Sequence, residues 1–156
     1  MPNLNSAELA ESGDGLRRAR VGELAGAEHL GLSLYELAPG NSMHYHYHLQ
    51  REELLLVLEG TLAVRTQHGW QDAPAGELLA FPRGAAGAHG YENRTDSLVR
   101  LLMISEQNAP NVSVYPDTNE VGIFDAAHPQ DRRFGALFNL ADAISAYGGG
   151  EAKPEA

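Results

Sequence analysis

The chain has 156 residues, with 11 Lys and Arg against 21 Asp and Glu, a formal net charge of −10, 43% hydrophobic residues and no Cys. A chain of this length can bury one core without cross-links, and the absence of Cys excludes disulfide scaffolds, thiolate nucleophiles, Cys-ligated zinc and iron–sulfur clusters. Its single Lys, Lys153, stands near the C-terminus, which excludes Schiff-base and P-loop lysine chemistry.

The acidic balance predicts no nucleic-acid partner, because phosphate neutralisation needs a basic patch, and the trio Arg17, Arg18 and Arg20 is too small to reverse it. No 18-residue apolar run and no basic stretch followed by an apolar one occurs. No membrane span or signal peptide is therefore expected, and the expected location is the cytoplasm.

Residues 1–28 are polar and small, interrupted by Gly13, Gly15, Gly22 and Gly26, and read as an N-terminal arm with one strand near Leu16 to Leu24. From His29 to Leu37 the residues alternate, with Leu30, Leu32 and Leu34 on one face of a period-two strand. Further strands are predicted at Met43 to His48, Glu53 to Leu58, Thr61 to Gln67, Leu78 to Phe81, around His89, and from Ser97 to Ser105. Gly60, Gly69, Pro74, Gly76, Pro82 and Gly84 separate them, a pattern that predicts an all-β sandwich or barrel.

Between Asn108 and Asp125 the pattern loosens into short extended pieces that wrap the surface. Phe134, Leu137, Phe138, Ala141, Ile144 and Tyr147 recur at three- and four-residue steps, which predicts a short C-terminal helix stopped by Gly148. The expected organisation is an arm over 1–28, a barrel over 29–125, a helical extension over 126–147 and a disordered tail over 148–156.

Chemistry concentrates in one stretch. His44, His46 and His48 fall within five residues, and in a strand residues two apart share a side at about 6 to 7 Å, so His46 and His48 can share a metal ion. If the following strand pairs with theirs as a hairpin, Glu53 projects to the same face and adds an oxygen ligand. His89 is the candidate for a fourth ligand from another part of the barrel. Three imidazoles and a carboxylate suit one divalent transition metal, Fe, Mn, Ni, Zn or Cu, with a position open to water or substrate.

The run Gly40-x5-His46-x-His48-x4-Glu53-x6-Gly60 resembles the first motif of the cupin superfamily at every fixed position. Gly76-x5-Pro82-x-Gly84, followed by four residues before His89 and then x3-Asn93, resembles the second motif with two residues added before the His. The resemblance extends to small cupins of the cupin 2 type, mostly of unassigned function. It implies a double-stranded β-helix, or jelly-roll barrel, a metal held by His46, His48, Glu53 and His89 inside its mouth, and a homodimer. It selects no reaction.

In the strand Glu53 to Leu58 the inward set by parity is Glu53, Leu55 and Val57, yet Leu54, Leu56 and Leu58 are equally apolar. That outer face needs cover from the C-terminal helix or a second subunit. His44, on ligand parity, Tyr91, on His89 parity, and Arg100, as an anchor for an anionic substrate, are candidates for catalysis or substrate contact. Tyr45 and Tyr47 point the other way, and His29, His68 and His128 read as surface residues. The expected activity is that of a metalloenzyme on a small oxygenated metabolite, dioxygenase-like or an isomerase or lyase. The alternative is a non-catalytic cupin that binds a sugar or small organic acid.

Overall fold

Alternating apolar residues between Gly and Pro turns commit this chain to strands with one face inward. In a computed structural model, which describes residues 1–11, 16–125 and 133–143, they form two antiparallel sheets. The strands are β1 (Ala10–Glu11), β2 (Arg17–Ala19), β3 (Leu30–Leu37), β4 (Ser42–His48), β5 (Glu53–Glu59), β6 (Thr61–Thr66), β7 (Gly69–Pro74), β8 (Leu78–Phe81), β9 (His89–Glu92), β10 (Val99–Glu106), β11 (Asn111–Tyr115), β12 (Glu120–Phe124) and β13 (Gly135–Asn139), with a short helix α1 (Val21–Ala25). One sheet runs β1-β2-β3-β10-β5-β8 and the other β13-β12-β11-β4-β9-β6-β7. The all-β jelly roll expected from the sequence is the fold observed, with β7 as a strand that the pattern did not single out.

The barrel is filled from both sheets. Leu37, Leu55, Val57, Leu62, Val64, Val99 and Leu101 are at most 1% exposed and pack as one cluster with Leu16, Phe81 and Tyr91. Burying each of these aliphatic side chains contributes roughly 1.5–3 kcal/mol. The parity expected for β5 holds: Leu55 and Val57 face this core, while Leu56 and Leu58 join a second cluster on the outer face.

The cover of that outer face is not the one expected. The second cluster contains Leu34, Leu102, Ala19 and Val21, with Leu4, Ala7 and Leu9 against it. Residues of the N-terminal arm thus fold back over the sheet. Leu32 and Leu34 also belong to this outer cluster, while Tyr35 and Leu37 of the same strand face the barrel interior.

The helix predicted from Phe134 to Tyr147 begins as a strand. β13 pairs antiparallel with β12, Phe138 opposite Val121 and Ala136 opposite Ile123, because the free backbone groups along β12 offer a ladder that outweighs a weak helical period. A 3-10 turn at Leu140–Asp142 follows, with the Asn139 side chain accepting from the Ala141 N–H at 2.8 Å. Ile144, Tyr147, Gly148 and the tail lie outside the described residues, as does His128.

Candidate functional site

The four predicted ligands come from three strands in two sheets. β4 and β5 do not pair as a hairpin: β4 lies between β11 and β9, and β5 between β10 and β8. The four-residue connection crosses from one sheet to the other, fastened by Arg51 Nη2 donating to the Asn108 carbonyl and by Asn108 Nδ2 donating to the Gln50 carbonyl, both at 2.6 Å. Glu53 therefore meets the histidines across the barrel interior rather than along one sheet.

His46 stands opposite His89 in the β4–β9 ladder, with ring centroids 4.8 Å apart, and the His48 ring lies 4.9 Å from that of His46. The ligating atoms of His46, His48 and Glu53 all lie within 4.8 Å of one another. Glu53 Oε2 is 3.3 Å from His48 Nε2 and 3.4 Å from His89 Nε2.

Each ring is oriented by its other nitrogen. His46 Nδ1 donates to the His44 carbonyl at 2.8 Å, and His89 Nδ1 donates to the Gly87 carbonyl at 2.9 Å. His48 Nδ1 lies 3.0 Å from Asn111 Oδ1 and 3.0 Å from Ser113 Oγ, while Asn111 Nδ2 donates to that same hydroxyl. A carbonyl or carboxamide oxygen can only accept, so the ring proton sits on Nδ1 and the Nε2 lone pair faces Glu53.

The two residues added to the second motif have a structural role. Ala85–Gly87 form a 3-10 turn, and its last carbonyl is the acceptor that orients His89. A Cβ at Gly87 would stand 1.7 Å from the Pro82 carbonyl oxygen, so the turn closes only around glycine. The next residue but two, Gly90, lets β9 approach β4, where a Cβ would meet Tyr45 Cα at 3.0 Å. Phe81 stacks on the His89 ring at 3.8 Å and closes its other face.

Electrostatics favour a cation. Burial lowers the pKa of His46 to about 4, helped by His89 and His48, and burial also lowers that of His89. Burial opposes ionisation of Glu53, but contact with His48 and the proximity of His89 and His46 outweigh it and bring its pKa to about 2. His46 keeps an edge toward the cavity and is otherwise enclosed. His89 Nε2 is buried with no hydrogen-bond partner. Neutral imidazole lone pairs around a carboxylate form an acceptor cluster without a donor, and donors 3.3–3.4 Å apart suit an ion bound to each at about 2.0–2.2 Å. The residues fit a divalent transition metal.

These groups line a cavity of about 290 Å³, at the small end for ligand sites. Tyr91, Met43, Met103, Asn111 and Tyr115 contribute to its wall, as do Arg18 and Arg20 from the arm and Arg51 from the β4–β5 connection. Tyr91 is 1% exposed.

His44 and Arg100 are not brought to the cavity. A bulge between Met43 and His46 shifts the β4 register, so Met43 takes the inward place and His44 is exposed in a surface depression beside Tyr45 and Tyr115. Arg100 lies on the outer face of β10, where Nη2 donates to the Leu4 carbonyl at 2.9 Å and Nε is 3.4 Å from Glu36. Tyr47 is buried with Ala88 and Val114, and Tyr45 lies under Arg65, as their parity predicts. Sequence reasoning missed Asn111, Ser113 and the three cavity arginines. Only the place of Arg51 between His48 and Glu53 gave any signal.

A family model described as "Cupin domain" matches residues 33–105, the span that contains both sheets' central strands and all four side chains. The chain belongs to the cupin superfamily. Its structure is similar to that of a sugar phosphate isomerase of the cupin superfamily from Silicibacter pomeroyi, with a TM-score of 0.77 and 25% identity over 93% of this cupin and 96% of that chain. A candidate sugar phosphate isomerase from Acidithiobacillus ferrooxidans gives a TM-score of 0.76 at 23% identity, over 90% of this chain and 88% of that one. The polyketide cyclase RemF from Streptomyces resistomycificus gives 0.59 at 20% identity over 68% and 78%, a likeness of fold alone. No curated protein matches this cupin. Among its described residues, no helix is long and apolar enough to cross a membrane.

Proposed function

We propose that this cupin is a metal-dependent isomerase of a small polyhydroxylated carbonyl compound, with one divalent transition metal held by His46, His48, Glu53 and His89. The observation that carries the reading is the buried His89 Nε2, without a hydrogen-bond partner and 3.4 Å from Glu53, beside two further imidazoles. Such an ion, when bound, polarises a substrate oxygen and lowers the barrier to removing a neighbouring proton.

The chain's own residues supply the rest. The Nδ1 anchors keep the rings from swinging, so little reorganisation accompanies binding. The protein walls restrict water around the reacting carbon. Of the three side chains considered for catalysis from the sequence, only Tyr91 lines the cavity, and proton transfer is assigned to it. Isomerisation is preferred to oxygenation because the Silicibacter pomeroyi protein, similar over 93% of this chain, is described as a sugar phosphate isomerase. Assembly into a homodimer belongs to the same proposal, supported by Phe134, Leu137 and Phe138, which stand exposed on and beside the edge strand β13.

Proton NMR in D2O tests the activity. With a panel of aldoses, ketoses and their phosphate esters, the metal-loaded protein should exchange deuterium into the carbon beside the carbonyl of at least one compound. The chelated protein and His46→Ala should not. Oxygen uptake without exchange replaces isomerase by oxygenase, and binding without either leaves a non-catalytic cupin.

A further inference from the structure

We infer that the substrate carries a phosphate monoester, and that Arg18, Arg20 and Arg51 form the subsite that receives it. The inference rests on the reading of the site as a metal-dependent isomerase centre and names its substrate class.

The arginines of the N-terminal arm are sorted by strand parity. β2 pairs with β3, Arg18 opposite Tyr35 and Arg17 opposite Glu36. Tyr35 faces the barrel interior and Glu36 faces out, so the alternation sends Arg17 outward to its ion pair with Glu36 at 2.6 Å and Arg18 inward. Arg18 Nη1 lies 3.3 Å from the Tyr35 hydroxyl, and Arg20 Nη1 pairs with Glu23 at 2.9 Å. Both side chains line the cavity that holds the four candidate ligands. Arg51, 8% exposed and tied to the Asn108 carbonyl, lines the same cavity.

Charge makes this grouping informative. The chain carries a net −10, yet the charged residues of the described cavity lining are Arg18, Arg20 and Arg51 against Glu23 and Glu53, three positive to two negative. A divalent ion at the histidines would add two more positive charges. A cavity of about 290 Å³ that is cationic inside an acidic protein selects a small anion. Guanidinium forks match the oxygen geometry of phosphate, and several donors suit a dianion better than a carboxylate. The carbonyl end of such a substrate lies at the histidines and its phosphate toward the arm.

Calorimetric titration of the metal-loaded protein with ribose 5-phosphate, ribose, glucuronate and inorganic phosphate tests the subsite. Ribose 5-phosphate should bind at least about tenfold more tightly than ribose or glucuronate, and Arg18→Gln or Arg20→Gln should each weaken it by roughly tenfold. Arg17→Gln, on the same strand but facing out, should leave it unchanged. Metal stoichiometry, measured on the same samples, should be the same in all variants. Equal affinity for ribose and its phosphate, equal affinity for glucuronate, or an Arg17→Gln effect as large as that of Arg18→Gln overturns the subsite. A wild type that binds phosphate but no metal defeats the isomerase reading and leaves the arginine subsite standing.

Discussion

The same strands build two unlike ends of the barrel. Along β5 the inward residues run from Val57 and Leu55 to Glu53, and along β10 from Leu101 and Met103 to Ser105. At the closed end these are aliphatic side chains with almost no exposure. At the open end they become a carboxylate and a hydroxyl, and β4 and β9 bring the imidazoles of His46, His48 and His89 beside the carboxylate. The closed end supplies stability through apolar burial. The open end is an acceptor cluster that folding alone does not favour, and it becomes favourable when a cation arrives.

The largest effect should come from the closed end. Leu55→Ala removes a fully buried side chain and should lower unfolding free energy by about 2–5 kcal/mol in urea denaturation. Metal stoichiometry in the fraction that remains folded should be unchanged. A loss below about 1 kcal/mol would mean that the closed end collapses to fill the gap.

At the open end Asn111→Leu should leave stability nearly unaffected while weakening metal binding by about 10–100-fold. His48 is the one ring held by side chains, Asn111 and Ser113, rather than by a backbone carbonyl, so its anchor can be removed by substitution. Metal affinity unchanged by Asn111→Leu would show that the ring is fixed by packing alone.

A third effect is in pH. The folded protein holds His46 at a pKa of about 4, below its ordinary 6.5, so between these values the unfolded chain binds more protons than the native one. Stability of the metal-free protein is therefore fully present above pH 6.5 and falls as pH drops toward 4, by up to about 3 kcal/mol from this group. His89 shifts in the same direction. Glu53, with its pKa lowered to about 2, extends the loss from about pH 4.5 downward. Thermal melts of His46→Gln should show a shallower fall between pH 6.5 and 4, and an unchanged slope would contradict this.

Much of this contrast was legible in the sequence because it follows parity and fixed spacing. Alternation identified β3, β5 and β10, and the two motifs brought His46, His48, Glu53 and His89 together before any coordinates. What parity could not supply was interruption of the pattern. The β4 bulge turns His44 outward, though counting by twos puts it with the ligands. The crossing between sheets replaced the expected hairpin, because four residues tied to Asn108 are anchored elsewhere than in a turn.

The arm was the least legible region. The strand expected near Leu16 to Leu24 forms as β2, but nothing local in the sequence showed that Arg18 on it and Arg20 just after it reach the cavity or that apolar residues of the arm cover the outer sheet, because both contacts are long-range. The three- and four-residue recurrence near the C-terminus was a helical signal without enough length to resist pairing with β12.

The most direct measurement is anomalous diffraction from crystals of this protein soaked in Mn²⁺. A single peak is expected about 2.0–2.3 Å from Nε2 of His46, His48 and His89 and from a Glu53 oxygen. A saturating soak that leaves the cavity without a peak, or a peak bound to His46 and His48 with His89 turned away, would contradict it.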